Sequence, residues 1–221
     1  MEEKRVLPGK PNSMQMNTPS ADAQIQDLRS HFEEAATLTE IILKDEDFIK
    51  KVGSSGRHMA SALAQGKKIM SCGNGGSMCD AMHFAEELSG RYREDRPALA
   101  AMSCHDPSHL TCVGNDYGFQ QVFQRWVEAL GQPGDVLVAI STSGRSENVL
   151  AAAKAARDCG MTVIGLTGKD GGPLAALCHH EIRVPWNGFA DRIQEVHIKI
   201  IHSWIDLIEK SLTRDQSIAS A

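Results

Sequence analysis

No stretch of the 221 residues has the roughly 18 uninterrupted apolar residues of a membrane-spanning helix. The N-terminal segment MEEKRVLPGKPNSMQMNTPSA lacks the apolar core of a signal peptide. Dense Lys/Arg runs are missing too: 23 basic residues stand against 28 acidic ones. That excludes the electrostatic footprint of a general nucleic-acid binder. The six cysteines (Cys72, Cys79, Cys104, Cys112, Cys159 and Cys178) include no C-x-x-C pair and fall at irregular separations. They have neither the spacing nor the density of a disulfide-stapled secreted domain and read as reduced thiols. The expectation is a cytoplasmic protein whose partners are small molecules or other proteins, with neither nucleic acid nor membrane among them.

What is present is a chain long enough for one α/β domain and too short for a large second one. Residues 1–20 are polar and contain Pro8, Pro11 and Pro19, so they read as a flexible leader, with a single domain over 21–221. From Ala21 the pattern is helical. Ile25, Leu28, Phe32, Ala35 and Ala36 recur at helical spacing, and Leu38, Ile41 and Ile42 continue the stripe. A second helix runs from about Asp47 to Ala64, with Gly53 and Gly56 weakening it.

The rhythm then changes to short apolar runs, each followed by a turn signal and another helix: KKIMSC (67–72), ALAAMS (98–103), DVLVAIS (135–141), TVIGLTG (162–168) and EIRVP (181–185). Continuous apolar runs alternating with helices predict parallel strands covered on both faces. The fold class is therefore α/β: a doubly wound, mostly parallel, five-stranded sheet with N-terminal helices and a long C-terminal helix. In such sheets ligands sit beyond the carboxyl ends of the strands, which singles out the loops at 73–77, 104–118, 141–146 and 168–172. The final helix, about Ala190 to Leu212, carries Ile193, Val196, Ile200, Trp204 and Leu207 on one face and Ile198, Ile201, Ile205 and Ile208 on another. Two apolar faces predict helix bundling between subunits of an oligomer, the plainer alternative being contact with the N-terminal helices of the same chain.

Two loops offer anion sites. Ser71-Cys72-Gly73-Asn74-Gly75-Gly76-Ser77 follows a strand and opens a helix, placing small residues and free N–H groups at a positive helix end. It is no dinucleotide fingerprint, because Met78 stands where G-x-G-x-x-G needs glycine. The Walker pattern fails as well, with Val163 five residues before Gly168. After the strand DVLVAI comes Ser141-Thr142-Ser143-Gly144-Arg145-Ser146-Glu147-Asn148 and then a helical run. Hydroxyls crowded around a glycine at a helix N-terminus suit a phosphate, whereas ordinary capping by Ser143 or Ser146 needs only one.

These turns, together with SCGNGGSMCDAMHFAEELSGRYREDRP, VGNDYGF, GDVLVAISTSGRSENV, LTGKDGG and FADRIQEVHIKIIH, resemble the sugar isomerase (SIS) domain, and within it the phosphoheptose isomerase family, over about residues 25–212. The resemblance implies a flavodoxin-like SIS fold and interconversion of sedoheptulose 7-phosphate and a manno-heptose 7-phosphate. It implies a phosphate site of Ser141, Thr142, Ser143 and Ser146, and sugar contacts from Asn74, Gly75, Gly76, Asn115 and Asp116. It implies one Zn²⁺ per subunit, held by His83, Glu87, Gln194 and His202, with Glu87 as base and His202 as acid, and Glu87 and Gln194 also touching substrate. A cytoplasmic homotetramer with active sites near subunit contacts is implied likewise, as is a place in heptose biosynthesis for lipopolysaccharide or a related glycoconjugate. Met78 departs from the family's histidine, which is expected to remove a polar group from the lip of the site.

The chemistry agrees with the residue types. Moving a carbonyl between adjacent sugar carbons needs a base for a carbon-bound proton and an acid to shuttle protons between the oxygens of an enediol, tasks that suit a carboxylate and an imidazole. His83 and Glu87 stand four apart on one helix face, a spacing that lets two side chains share a metal and equally describes an ordinary helix-surface pair. Gln194 and His202 are eight apart, about 12 Å along a straight helix and some 80° around it, so their shared ligation rests on the resemblance alone. Zinc suits a His/carboxylate/amide set; nickel, cobalt or manganese also fit. His109, His179, His180 and His197 read as surface or satisfied core histidines, and Asp191 as a cap or first-turn acid. The rival reading is a non-catalytic SIS adaptor that binds a sugar phosphate or a replication initiator; such a protein has no chemical need of a base, an acid and metal ligands together. Action on another sugar phosphate, such as an amino sugar, would keep the phosphate turn and change the sugar contacts.

Overall fold

The computed structural model of the chain describes residues 19–219, with side chains through Leu212. Residues 1–18, most of the leader read from sequence, lie outside the described residues. Helix α1 (Ala21–Lys44) starts at Ser20, whose hydroxyl accepts from Ala23 N–H. Asp45 ends α1 and caps α2 (Glu46–Ala64), accepting from Phe48 N–H at 2.9 Å. Then β1 (Ile69–Gly73), α3 (Gly76–Ser89), β2 (Ala101–Ser103), α4 (Pro107–Asp116), α5 (Val122–Leu130), β3 (Val136–Ile140), α6 (Glu147–Asp158), β4 (Thr162–Gly168), the single turn α7 (Gly172–Ala175), β5 (His180–Val184) and α8 (Ala190–Ala219) follow.

All five strands are parallel, in the order β2-β1-β3-β4-β5. Each strand read from sequence is present, shifted by at most three residues at an end. The central strand β3, VLVAI, is buried along its whole length because helices cover both faces. Val136, Val138 and Ile140 point to one core, beneath α1, α2, α3 and α8. Leu137 and Ala139 point to the other, beneath α4, α5, α6 and α7.

Helix α8 buries both of its apolar faces inside the chain: Ile193, Val196, Ile200 and Trp204 on one, Ile201, Ile205 and Ile208 on the other. Its main covering is α2, so the plainer of the two sequence readings holds and the breadth of α8 does not itself call for a second subunit. Gly56 is the reason α2 can come so close, since a Cβ there would lie 3.1 Å from Trp204 Cδ1. The indole N–H of Trp204 then donates to Val52 O (2.9 Å) and Ser55 Oγ (3.0 Å). The stripe on α1 divides: Leu38 and Ile42 are buried, whereas Ile25, Leu28 and Phe32 are 56%, 61% and 77% exposed.

Candidate active site

Strand order reverses between β1 and β3, with β2 outside one and β4 outside the other. A crevice opens at such a reversal, beyond the carboxyl ends of the two strands. The two loops singled out from sequence leave these two strands, and their side chains meet: Asn74 and Asn148 exchange two hydrogen bonds of 2.8 Å. Gly75, at φ +54°, turns the chain into α3 with no side-chain cap, leaving the first N–H groups of the helix without a capping side chain. A Cβ on Gly76 would lie 2.7 Å from Gln194 Nε2, so glycine is what admits the Gln194 amide to this turn.

The hydroxyl turn is held from below. Gly144 has φ +63°, and a Cβ there would run into the carbonyl of Gly171 in the loop after β4. Leu174 N–H donates to Gly144 O from α7, and Arg145 pairs with Asp170. Ser146 occupies the N-cap position of α6 without making a side-chain cap bond; its Oγ lies 3.1 Å from Ser141 Oγ instead. Among the described residues Ser143 Oγ accepts only a long 3.3 Å bond from Arg145 N–H. Ordinary capping therefore does not account for these hydroxyls.

The second cluster lies between α3 and α8, which run side by side. Gly76 meets Gln194, His83 Nε2 lies 3.0 Å from His202 Nε2, and the Phe84 ring centroid is 5.9 Å from that of Trp204. The partly buried Glu87 carboxylate is 3.5 Å from His83 Nε2. Glu86, more exposed, is 3.4 Å from the other ring nitrogen of His83. Tyr92 stacks on His202 at 5.8 Å and 26°. Asp80 sits nearby with Oδ2 buried and unpartnered among the described residues; burial pushes its carboxyl up to about 6, against the opposing pull of His83.

The donor set fits a zinc-like ion. His83, Glu86 and Glu87 each offer a ligand atom within 4.8 Å of the others, and the His202 nitrogen joins them at His83. Two nitrogens bound tetrahedrally at 2.0–2.1 Å lie about 3.3 Å apart, close to the separations here. A carboxylate on His83 Nδ1 is the usual outer partner of a histidine that ligates through Nε2.

Of the residues read from sequence, the structure brings His83, Glu87 and His202 into one cluster and gathers Asn74, Gly75, Gly76, Ser141, Thr142, Ser143 and Ser146 at the strand-order reversal. Gln194 meets the latter group at Gly76. Asn115 and Asp116 are exposed at the end of α4, where the Asn115 amide donates to Asp116 at 2.7 Å. Met78, at the start of α3, is half-buried and packs on the core beneath α4–α6. Sequence reading passed over Glu86 and Asn148. The Glu86-Glu87 doublet beside His83, and an amide at the start of α6, were the available signals. His109 donates to Val122 O and His197 to Thr167 O, in keeping with structural roles.

A SIS domain family profile matches residues 31–168. A phosphoheptose isomerase of Aeromonas hydrophila is 55% identical over 187 residues, covering 85% of this chain and 97% of that protein. The phosphoheptose isomerase of Cytophaga hutchinsonii is 58% identical over 183 residues, 83% of this chain and 96% of that one. Among solved structures, phosphoheptose isomerase GmhA from Neisseria gonorrhoeae superposes with a TM-score of 0.79 at 42% identity, covering 85% of this chain and 99% of that one.

Proposed function

The chain belongs to the phosphoheptose isomerases of the SIS-domain family, and from that premise we propose how its own residues carry the reaction. The activity is isomerisation of sedoheptulose 7-phosphate to a manno-heptose 7-phosphate, a step of heptose biosynthesis. The hydroxyls of Ser141, Thr142, Ser143 and Ser146, with the N-terminus of α6, take the phosphate. Asn74, the Gly75-Gly76 turn and the Gln194 amide face the sugar, with Asn115 and Asp116 supplying further contacts. Glu87 removes the carbon-bound proton and returns it to the adjacent carbon, while His202 moves protons between the two oxygens of the enediol.

One observation carries this reading: across α3 and α8, Glu87 and His202 converge on a single point, His83. A Zn²⁺ ion, one per subunit, would be held by His83, Glu87 and His202, with Gln194 completing the set. When bound it supplies Lewis-acid polarisation of a carbonyl oxygen. A cytoplasmic homotetramer completes the reading. Its support is the exposed row Ile25, Leu28 and Phe32 on α1, spaced as one helix face. None of the helices among the described residues is long and apolar enough to cross a membrane.

The test is proton NMR of sedoheptulose 7-phosphate with zinc-loaded protein in D₂O, with Glu87→Gln alongside. Conversion by the parent protein alone, with deuterium entering at the isomerised carbons, is expected. Equal conversion by the variant would remove Glu87 from the role of base. Binding without conversion by the parent protein would make it a sugar-phosphate adaptor.

A further inference from the structure

We propose that Arg96, held by Glu209, is a positioning residue that sets how Glu87 on α3 faces His202 on α8; this rests on the reading of that cluster as the active site. Arg96 lies in the irregular segment between α3 and β2, yet its side chain is only 3% exposed. Its guanidinium donates through Nη2 to Glu87 O (2.7 Å), through Nη1 to Leu88 O (2.8 Å) and Pro97 O (3.2 Å), and through Nε to Glu209 Oε1 (2.7 Å). The carbonyls of Glu87 and Leu88 belong to the last turn of α3, where no further N–H of the helix follows to receive them. Arg96 thus closes the end of α3 at the residue assigned as base.

Glu209 ties that closure to the opposite helix. It stands seven residues after His202, two turns along the same side of α8, and its side chain is 8% exposed. Matched contacts along the two helices, Gly76 with Gln194, His83 with His202 and Phe84 with Trp204, precede it in order. The Arg96–Glu209 pair is the next rung. A buried ion pair is a poor device for stability, since apolar side chains of similar volume often serve as well or better. Its direction-dependent bonds, one of them on the Glu87 backbone, are what an apolar contact would not supply.

The test separates positioning from mere support. Arg96→Met alone removes one member of a buried ion pair together with the donors on the α3 carbonyls and is expected to destabilise. The double variant Arg96→Met/Glu209→Leu removes both charges of the pair and is expected to fold with a melting temperature between those of Arg96→Met and the parent, the α3 carbonyls still lacking their donor. In that folded double variant, zinc affinity measured by chelator competition is expected to fall about 10-fold or more, and kcat at saturating zinc to fall by a similar factor with KM little changed. Arg96→Lys, which keeps the charge without the fork that spans several acceptors, is expected to rescue stability better than kcat. Parent-like zinc affinity and kcat in the double variant, with Glu87→Gln inactive beside it, would overturn the positioning role and leave the active-site reading standing. Should Glu87→Gln itself retain full turnover and zinc affinity, the site reading fails and the proposal with it. If the double variant does not fold, Arg96→Lys and Glu209→Gln decide by the same two measurements.

Discussion

Asn74 and Asn148 bind each other through both ends of their amides, joining the loop after β1 to the first turn of α6. Asn148 is 3% exposed and its Oδ1 also accepts the N–H of Val149, so it is the fixed member and Asn74 the one it orients. The two loops proposed to take the sugar and the phosphate are thereby tied to each other. Asn148→Ala should raise KM for the sugar phosphate about 10-fold, from an unmet amide worth about 1–3 kcal/mol. Binding of inorganic phosphate, followed by calorimetry, should change much less. Equal loss for both ligands would place Asn148 in the phosphate turn itself.

The Glu87 carboxylate is partly buried and 3.5 Å from an imidazole nitrogen. Glu87→Gln keeps the shape and removes the base, so turnover should fall at least about 100-fold. Affinity for the phosphate end, set by the α6 turn, should stay largely intact. Single-turnover and binding measurements on the same preparation check both halves.

Gly144 and Ser143 separate the backbone from the hydroxyl contribution to that turn. Gly144→Ala would meet both an unfavourable φ of +63° and the Gly171 carbonyl, so the loops after β3 and β4 must part. Loss of phosphate binding together with a lower melting temperature is expected. Ser143→Ala should weaken phosphate binding with the melting temperature unchanged, because among the described residues its Oγ accepts only the long bond from Arg145 N–H. An unchanged affinity for Ser143→Ala would move the phosphate off this hydroxyl.

These contrasts also show why some of the molecule could be read from the chain and some could not. The strands were legible because a buried parallel strand must be apolar throughout, and VLVAI is. The two loops were legible because glycine and hydroxyl clusters after such strands have few other uses. The cover on α8 was not, since an apolar helix face says that something packs on it and not what; Gly56 decided the matter by admitting Trp204 to α2. The clustering of His202 with His83 depends on α3 and α8 lying side by side, a tertiary fact that eight-residue spacing within α8 could not express. Arg96 was hidden for the opposite reason: one arginine of three in the polar run Arg91-Tyr92-Arg93-Glu94-Asp95-Arg96 reads as solvated, and only the fold buries it.

Phe32 is 77% exposed and shares a face of α1 with Ile25 and Leu28. If that face is the subunit contact, Phe32→Glu should lower the mass measured by light scattering at micromolar concentration from that of a tetramer to a smaller species. Secondary structure should persist, because the half of α1 that carries Leu38 and Ile42 still reaches the core. An unchanged mass would put the contact elsewhere.

His197 offers a pH test independent of catalysis. Its ring is wholly buried on α8, with Nε2 donating to Thr167 O at 3.0 Å and Nδ1 unpartnered among the described residues. Burial pushes its pKa down from 6.5 to about 4, partly opposed by the bond to Thr167. The folded state therefore holds the neutral ring while the unfolded chain takes up a proton below pH 6.5, so stability present above that pH is lost as pH falls towards 4. At 1.36 kcal/mol per pKa unit, the full loss is about 3 kcal/mol. Asp80 acts in the other direction: its raised pKa of about 6 means that protonation between 6 and its ordinary 3.8 favours the folded state. The two contributions overlap and partly cancel in the parent protein. Urea unfolding of Asp80→Asn from pH 7 to 4 should therefore show a steeper loss of stability than the parent, and the further change His197→Gln, which keeps a donor for Thr167 O, should flatten it. A slope unaffected by His197→Gln would mean that this histidine is already protonated in the fold.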